Sequence, residues 1–152
     1  MRLWRLTRIE HVALDGAGAA LHGGRYSPEG VPVVSLASEA GLAVLIALRY
    51  LPEDRAAWPK DHVLGWTDVS AIPERALEGD EAQVRHFVAD WLAARRSLLA
   101  AIPSRVLPEA DVVLLNPLHP AAAGVQPLTT RPFDFAQCLH RPPMLDRYAR
   151  RA

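Results

Sequence analysis

Six helix breakers crowd the early part of this chain: Gly16, Gly18, Gly23, Gly24, Pro28 and Gly30 all fall within positions 14–30. Glycine gives up the most backbone freedom on folding and proline brings no amide donor, so a helix through this stretch is disfavoured. We read it as a loop, an ordered turn and a short extended piece. It parts two segments of strand character. Leu3 to Ile9 alternates apolar and polar residues and carries Arg5 on a first strand. Val31 to Leu36 reads as a buried strand, with Pro32 near its start, where a missing donor is tolerated.

Further along, Ser38 is placed to cap a helix in which Leu42, Leu45, Ile46 and Tyr50 recur at helical spacing until Pro52 ends the run. Val63 to Val69 reads as another strand. Glu81 to Leu99 reads as an amphipathic helix with Val84, Phe87, Val88, Trp91, Leu92 and Leu98 on its buried side. Arg105–Leu107 and Val112–Leu115 look like two strands joined by residues 108–111, and Phe133–Phe135 like a last short strand before a basic tail over 136–152. No repeat or linker divides the chain. Its 152 residues suit a single domain, 1–152, whose core needs no disulfide or metal. The expected class is α+β, with short strands and two substantial helices.

Composition removes several functions. Lys and Arg together number 17 and so do Asp and Glu, whereas a nucleic-acid binder usually shows a basic excess, so no direct nucleic-acid partner is expected. One cysteine, Cys138, permits no internal disulfide and no cysteine-rich zinc site, which fits a reducing compartment. The segment after Met1 is charged and does not resemble a signal peptide. The longest apolar run, Gly41–Leu48, is far short of the ~20 residues of a membrane span. The expectation is a cytoplasmic protein with no membrane partner. The histidines at 11, 22, 62, 86, 119 and 140 show no ligand spacing, so no metal is expected. Phosphate-loop, serine-elbow and zinc-protease signatures are also absent.

What remains centres on Gly23-Gly24-Arg25-Tyr26-Ser27. Paired glycines let backbone approach a ligand, and an arginine fork can donate two parallel hydrogen bonds to a phosphate. Taken alone, the plainer account is a turn with Arg25 in a surface ion pair. A second group of polar residues falls at strand ends: Ser104 after Ile102-Pro103, and Asn116 in Asn116-Pro117-Leu118-His119-Pro120. Each of these, singly, also reads as a turn residue.

Together the segments resemble the RES family. Leu3-Trp4-Arg5 is similar to that family's opening strand. Residues 23–34 are similar to its Gly-Gly-Arg-Trp-Asn-x-x-Gly-x-Pro-Val-Val pattern. Trp91, Pro103-Ser104 and Leu115-Asn116-Pro117-Leu118-His119-Pro120 follow in order, so the resemblance spans about residues 3–120. It implies an ADP-ribosyltransferase-like fold, with mainly antiparallel strands in a split sheet core and flanking helices. It also implies the toxin half of a type II toxin–antitoxin pair that uses NAD as co-substrate, by ADP-ribosyl transfer to a host protein or by NAD breakdown through hydrolysis or phosphorolysis. The implied partner is an antitoxin with an Xre-like DNA-binding domain, with which the toxin forms an oligomeric complex.

By the same resemblance Arg25 and Ser104 match the family's catalytic arginine and serine, and Arg5 matches the first-strand arginine. Gly24, Tyr26, Ser35 and Asn116 join Arg5 and Arg25 as expected NAD-binding residues. Two positions depart from the family. Ser35 stands where the family strand has tyrosine, and Ile46 where the following helix has glutamate. Glu39, seven residues before Ile46, lies about 10 Å away along a helix axis, too far to replace that glutamate; it reads as a first-turn acid suited to the helix dipole. Tyr26 falls where the family has tryptophan and offers aromatic surface. Loss of the glutamate leaves three readings: an inactive binding module, a hydrolase with a carboxylate from elsewhere, or a mono-ADP-ribosyltransferase. Without a placed carboxylate to activate water, transfer is favoured over hydrolysis. The tail residues Met144, Leu145 and Tyr148 are read as a frayed terminus or a partner contact.

Overall fold

The computed structural model of the chain describes residues 1–138. Seven strands form one sheet in the order β4-β5-β6-β2-β1-β3-β7. They are β1 (Arg2–Arg8), β2 (Val34–Ala37), β3 (His62–Asp68), β4 (Glu74–Arg75), β5 (Leu99–Pro103), β6 (Asp111–Leu115) and β7 (Thr129–Pro132). The helices are α1 (Ala17–His22), α2 (Ala40–Leu48), α3 (Glu81–Ala94) and α4 (Phe135–Cys138). Only the short β4–β5 pair is parallel; the other ladders are antiparallel.

The sheet is two firm halves joined at a weak seam. On one side β1 pairs with β3 along its whole length, from Arg2↔Asp68 to Arg8↔His62, and the Trp4 and Trp66 rings lie 5.6 Å apart across that pair. On the other side β2 pairs with β6 from Val34↔Leu115 to Ala37↔Val112. Between β1 and β2 the only residues in register are Trp4 and Ala37. The expected split core therefore takes the form of one sheet whose middle strands part just beyond a single pairing.

Alternation within the strands assigns the layers. Leu3, Val34, Leu36, Leu99, Val113 and Leu115 are buried together on one face. On the other face α3 lays Val84, Val88, Trp91 and Leu92 over Ala100, Ile102 and Leu114, and α2 lays Leu42 and Ala43 against Ala37 and Leu64. The start of α3 is a capping box. The Asp80 carboxylate accepts from the Gln83 amide, and the Gln83 side chain accepts from the Asp80 amide, both at 2.8 Å.

Several boundaries differ from expectation. Residues 14–30 do contain a helix, the six-residue α1, because the Asp15 carboxylate accepts from the Ala17 amide at 2.9 Å and starts it. Gly16 precedes it at φ +71°, where a Cβ would sit 2.5 Å from the Val33 amide nitrogen, so only glycine fits. The second strand begins at Val34 rather than Val31. Ser38 does not cap α2: Glu39 holds that position without a side-chain bond, and Ser38 Oγ accepts from the Asp111 amide at 2.9 Å, tying the helix start to β6.

The long helix stops at Ala94, with Arg95 at φ +50°, and Leu99 opens β5. Residues 105–107 are not a strand but part of the β5–β6 connection. There the Leu107 amide donates to Ser104 Oγ and the Ser104 amide to the Ala110 carbonyl. The last strand is Thr129–Pro132, and Phe135 begins α4. The tail contacts expected of Met144, Leu145 and Tyr148 lie outside the described residues. Trp91, fully buried and donating its indole N–H to Ser97 Oγ at 2.9 Å, anchors α3. Trp91→Ala should lower stability by about 3–5 kcal/mol, measured by urea unfolding.

Candidate functional site

Where β1 and β2 part, the sheet leaves an open floor on its helix-covered face. Ser35 lies in a central strand yet is exposed, because neither α2 nor α3 covers it. Over this floor lies a cleft of about 340 Å³, within the range of small-molecule sites, about 300–1,000 Å³. Val112 and Leu114 of β6 floor it beside Ser35, and Arg5 and Thr7 of β1 enter at the seam. The C-terminal end of α2 and the residues just after it supply Ile46, Arg49 and Tyr50, and α1 with the glycine turn supplies Gly18, Ala19 and residues 22–27 along the facing wall. A smaller hollow of about 170 Å³ continues along the seam, with Trp4, Ala43 and Ala47 added to its walls. A broader hollow beside β7, lined by Trp58, Phe133 and Phe135, holds none of the expected catalytic or NAD-binding residues.

The cleft thus gathers Arg5, Gly24, Arg25, Tyr26 and Ser35 from three separate stretches of chain. It does not gather Ser104 or Asn116. Ser104 is buried at the end of β5 with its hydroxyl accepting from the Leu107 amide at 3.2 Å. Asn116 is 1 % exposed; its amide donates to the Leu92 carbonyl and its side-chain oxygen accepts from the Leu118 amide. Both are engaged in holding turns, as their plainer reading allowed. Glu39, exposed before α2, does not line the cleft either. Among the described residues no cluster of metal-ligating side chains occurs.

The two arginines differ in electrostatic setting. Arg25 lies over the Tyr26 ring at 5.5 Å and donates to Glu81 at 3.3 Å. Glu81, at the first turn of α3, also receives Arg85 at 2.8 Å and faces Arg105 at 3.9 Å. Arg5 has no carboxylate within 4.0 Å among the described residues; its one hydrogen bond is to the Ala13 carbonyl at 3.4 Å. Burial lowers the Arg5 pKa from its ordinary value, with the more distant Asp15 pulling the other way. A guanidinium remains charged regardless, so Arg5 is a partly desolvated cation facing a cleft.

The turn itself is shaped for access. The Gly24 amide donates to the Ser27 carbonyl at 2.8 Å, and a Cβ at Gly24 would lie 3.1 Å from Ser27 Oγ. That hydroxyl is buried and has no hydrogen-bond partner among the described residues.

Several cleft residues escaped sequence reasoning. Thr7 follows from Arg5 by strand alternation, and Arg49 and Tyr50 follow from Ile46 at helical spacings of three and four. Nothing in the local sequence announces His11 or His22, or that Glu81, outside the cleft lining, meets Arg25.

An α+β domain with a cationic cleft at the seam of a parted sheet is the class these features define. The chain belongs to the RES domain family, whose model matches residues 2–136, and its curated relatives are toxins. It is 33% identical over 129 residues to the Prs ADP-ribosylating toxin of Sphingobium sp. (strain YBL2), covering 74% of this chain and 78% of that protein. It is 28% identical over 129 residues to Toxin Res of Photorhabdus laumondii, covering 78% and 83%. In fold it is similar to a chain of the M. tuberculosis MbcT–MbcA toxin–antitoxin complex, with a TM-score of 0.68 at 16% identity over 90% of this chain and 85% of that one. No helix among the described residues is long and apolar enough to cross a membrane.

The Arg25–Glu81 pair gives a pH signature. The hydrogen bond from Arg25, with help from Arg85, holds Glu81 below its ordinary pKa of 4.5. A depressed carboxylate stabilises the fold above its unfolded pKa and loses that contribution as pH falls through the folded value. Glu81→Gln should therefore show a shallower loss of melting temperature on acidification below 4.5 than the parent, measured by thermal melts along a pH series.

Proposed function

We propose that this chain is the toxin of a toxin–antitoxin pair and that it uses NAD, transferring a single ADP-ribosyl group to a host protein. The observation that carries the reading is Arg5, a partly desolvated guanidinium without a carboxylate partner among the described residues, facing the same cleft as Arg25. Such a pair suits a pyrophosphate, which offers oxygens to both forks. Tyr26 and Tyr50 offer aromatic surface to the flat rings at either end of a dinucleotide.

The chemistry asks little of titrating groups. Cleaving the bond between ribose and nicotinamide builds positive character on the sugar, and nicotinamide leaves without strong acid catalysis because its nitrogen is already cationic. The cleft's task is to hold the dinucleotide in place and limit water. Ile46 supports transfer over hydrolysis, because an apolar side chain stands where the family's glutamate would activate an incoming water. Relatives named for ADP-ribosylation and for toxin activity, and the fold shared with a chain of a toxin–antitoxin complex, point the same way. The proposed partner is an antitoxin with an Xre-like DNA-binding domain that covers the cleft.

Purified protein should release nicotinamide from NAD and place adenine-derived label on a host protein. Nicotinamide release without labelled protein would instead indicate NAD breakdown, and no release at all an inactive binding module. Each charge-assisted hydrogen bond to phosphate contributes about 1.5–3 kcal/mol. Arg5→Ala and Arg25→Ala should therefore each slow nicotinamide release roughly 10- to 100-fold without loss of fold by circular dichroism. Both should relieve growth arrest on expression without the antitoxin; an Arg25→Ala protein as toxic as the parent overturns the site.

A further inference from the structure

The hollow beside β7 encloses about 1010 Å³ and shares no lining residue with the cleft among the described residues. Arg55, Lys60 and Arg131 line it, and none of them has an ion-pair partner among the described residues. Against these three cations its described lining holds one acid, Asp134, whose carboxylate accepts from the Ala136 amide at 2.9 Å. The acids next to the cations in sequence are engaged as well. Asp54 accepts from the Ala56 amide at 2.9 Å, and Asp61 pairs with Arg8 at 3.0 Å.

Aromatic rings hold both arginines in place. The Arg55 guanidinium lies over the Trp58 ring at 5.5 Å and that of Arg131 over the Phe133 ring at 5.8 Å, within the ~6 Å reach of cation–π attraction. The rings are fixed in turn. Trp58 donates its indole N–H to the Pro52 carbonyl at 2.7 Å, and Trp58 and Phe133 meet the buried Phe135 edge-on, at 6.3 and 5.2 Å. A guanidinium laid on a ring keeps N–H donors along its edge, and being already placed it loses less freedom when an acceptor arrives.

We infer that this hollow docks an acidic segment of a partner protein, held by its aspartate and glutamate carboxylates. Carboxylates complement the two arginine forks and Lys60 in charge and, at the forks, in shape. The chain's own continuation past Cys138 carries Arg141, Arg147, Arg150 and Arg151 against Asp146, so its charge has the sign of the hollow and does not complement it. Single-stranded nucleic acid stacks its bases on open aromatic faces. Here Trp58 and Phe133 each carry a guanidinium over the ring, and Phe135 is buried. Because the hollow and the cleft are lined by different residues, docking here is compatible with a ligand in the cleft.

The test titrates the full chain against fluorescein-labelled oligoglutamate, read by fluorescence anisotropy. The parent should bind, and its affinity should fall as salt rises. Arg55→Glu and Arg131→Glu should each weaken binding roughly tenfold or more, with the fold retained by circular dichroism. Lys60→Glu, on an exposed side chain outside any helix or strand, should act in the same direction. Arg49→Glu, in the cleft, should bind as the parent does. No binding by the parent overturns the inference, as does weakening by Arg49→Glu but by none of the hollow variants. Oligothymidylate bound more tightly than oligoglutamate, and lost in the hollow variants, makes this a nucleic-acid site and overturns it too. A concentration-dependent dimer, seen by light scattering and dissolved by Arg131→Glu, makes a second copy the occupant and overturns it likewise.

Discussion

Between β1 and β2 the sheet is joined at one residue pair, Trp4 and Ala37, and the form of the molecule follows from how little pairing that seam contains. Each half is secured by its own ladders, β1 with β3 and β2 with β6 and β5, while α2 packs across both halves and α3 covers the second. The seam can open because neither half relies on it for its hydrogen bonds. Its opening creates a floor in the middle of a sheet, where a rigid scaffold can present side chains from both halves. It also brings Arg5 out of β1 toward a turn some twenty residues away in sequence.

Arginine use divides along the same line. Arg2, Arg8, Arg75 and Arg96 are each paired with a carboxylate at about 3 Å, with Asp68, Asp61, Asp111 and Glu74 respectively. These exposed pairs contribute little each, ~0–1 kcal/mol, and they close strand ends and edges. Arg5 and Arg49 have no such partner among the described residues, and Arg25 shares Glu81 with two other arginines. The chain's neutral balance is therefore a sum over unlike regions: Arg5 and Arg49 bring charge without an ion-pair partner among the described residues to the cleft, as Arg55, Lys60 and Arg131 do to the hollow beside β7. That is why overall charge says little about the ligand while the local field says much.

How much could be read without coordinates depended on the range of the interactions that decide each element. The amphipathic stripe of α3 and the alternation in β1 and β3 are local patterns, and the structure keeps them with ends shifted by a residue or more. Leu98 and Leu99 continue that stripe by period, yet pairing of β5 with β6 takes Leu99 into a strand, since a ladder partner outweighs helix propensity. In the same way Ser38 has the composition of a cap but bonds to Asp111, 73 residues away. Ser104 and Asn116 sit correctly in a motif and hold turns outside the cleft. Proximity in a motif does not place side chains in one cavity.

The sequence by itself determined the class of the fold, the family, the glycine turn around Arg25, and the replacement of two polar family residues by Ser35 and Ile46. These rest on composition, short-range periodicity and residue order, which the chain carries whether or not it is folded. Only the tertiary structure decided that Arg5, Arg25, Tyr26 and Ser35 share one cleft, and that Glu81 pairs with Arg25 across 56 positions. Those facts depend on the parting of β1 from β2 and the packing of α1 and α2 beside the gap, which sum many distant contacts that no local stretch of sequence contains.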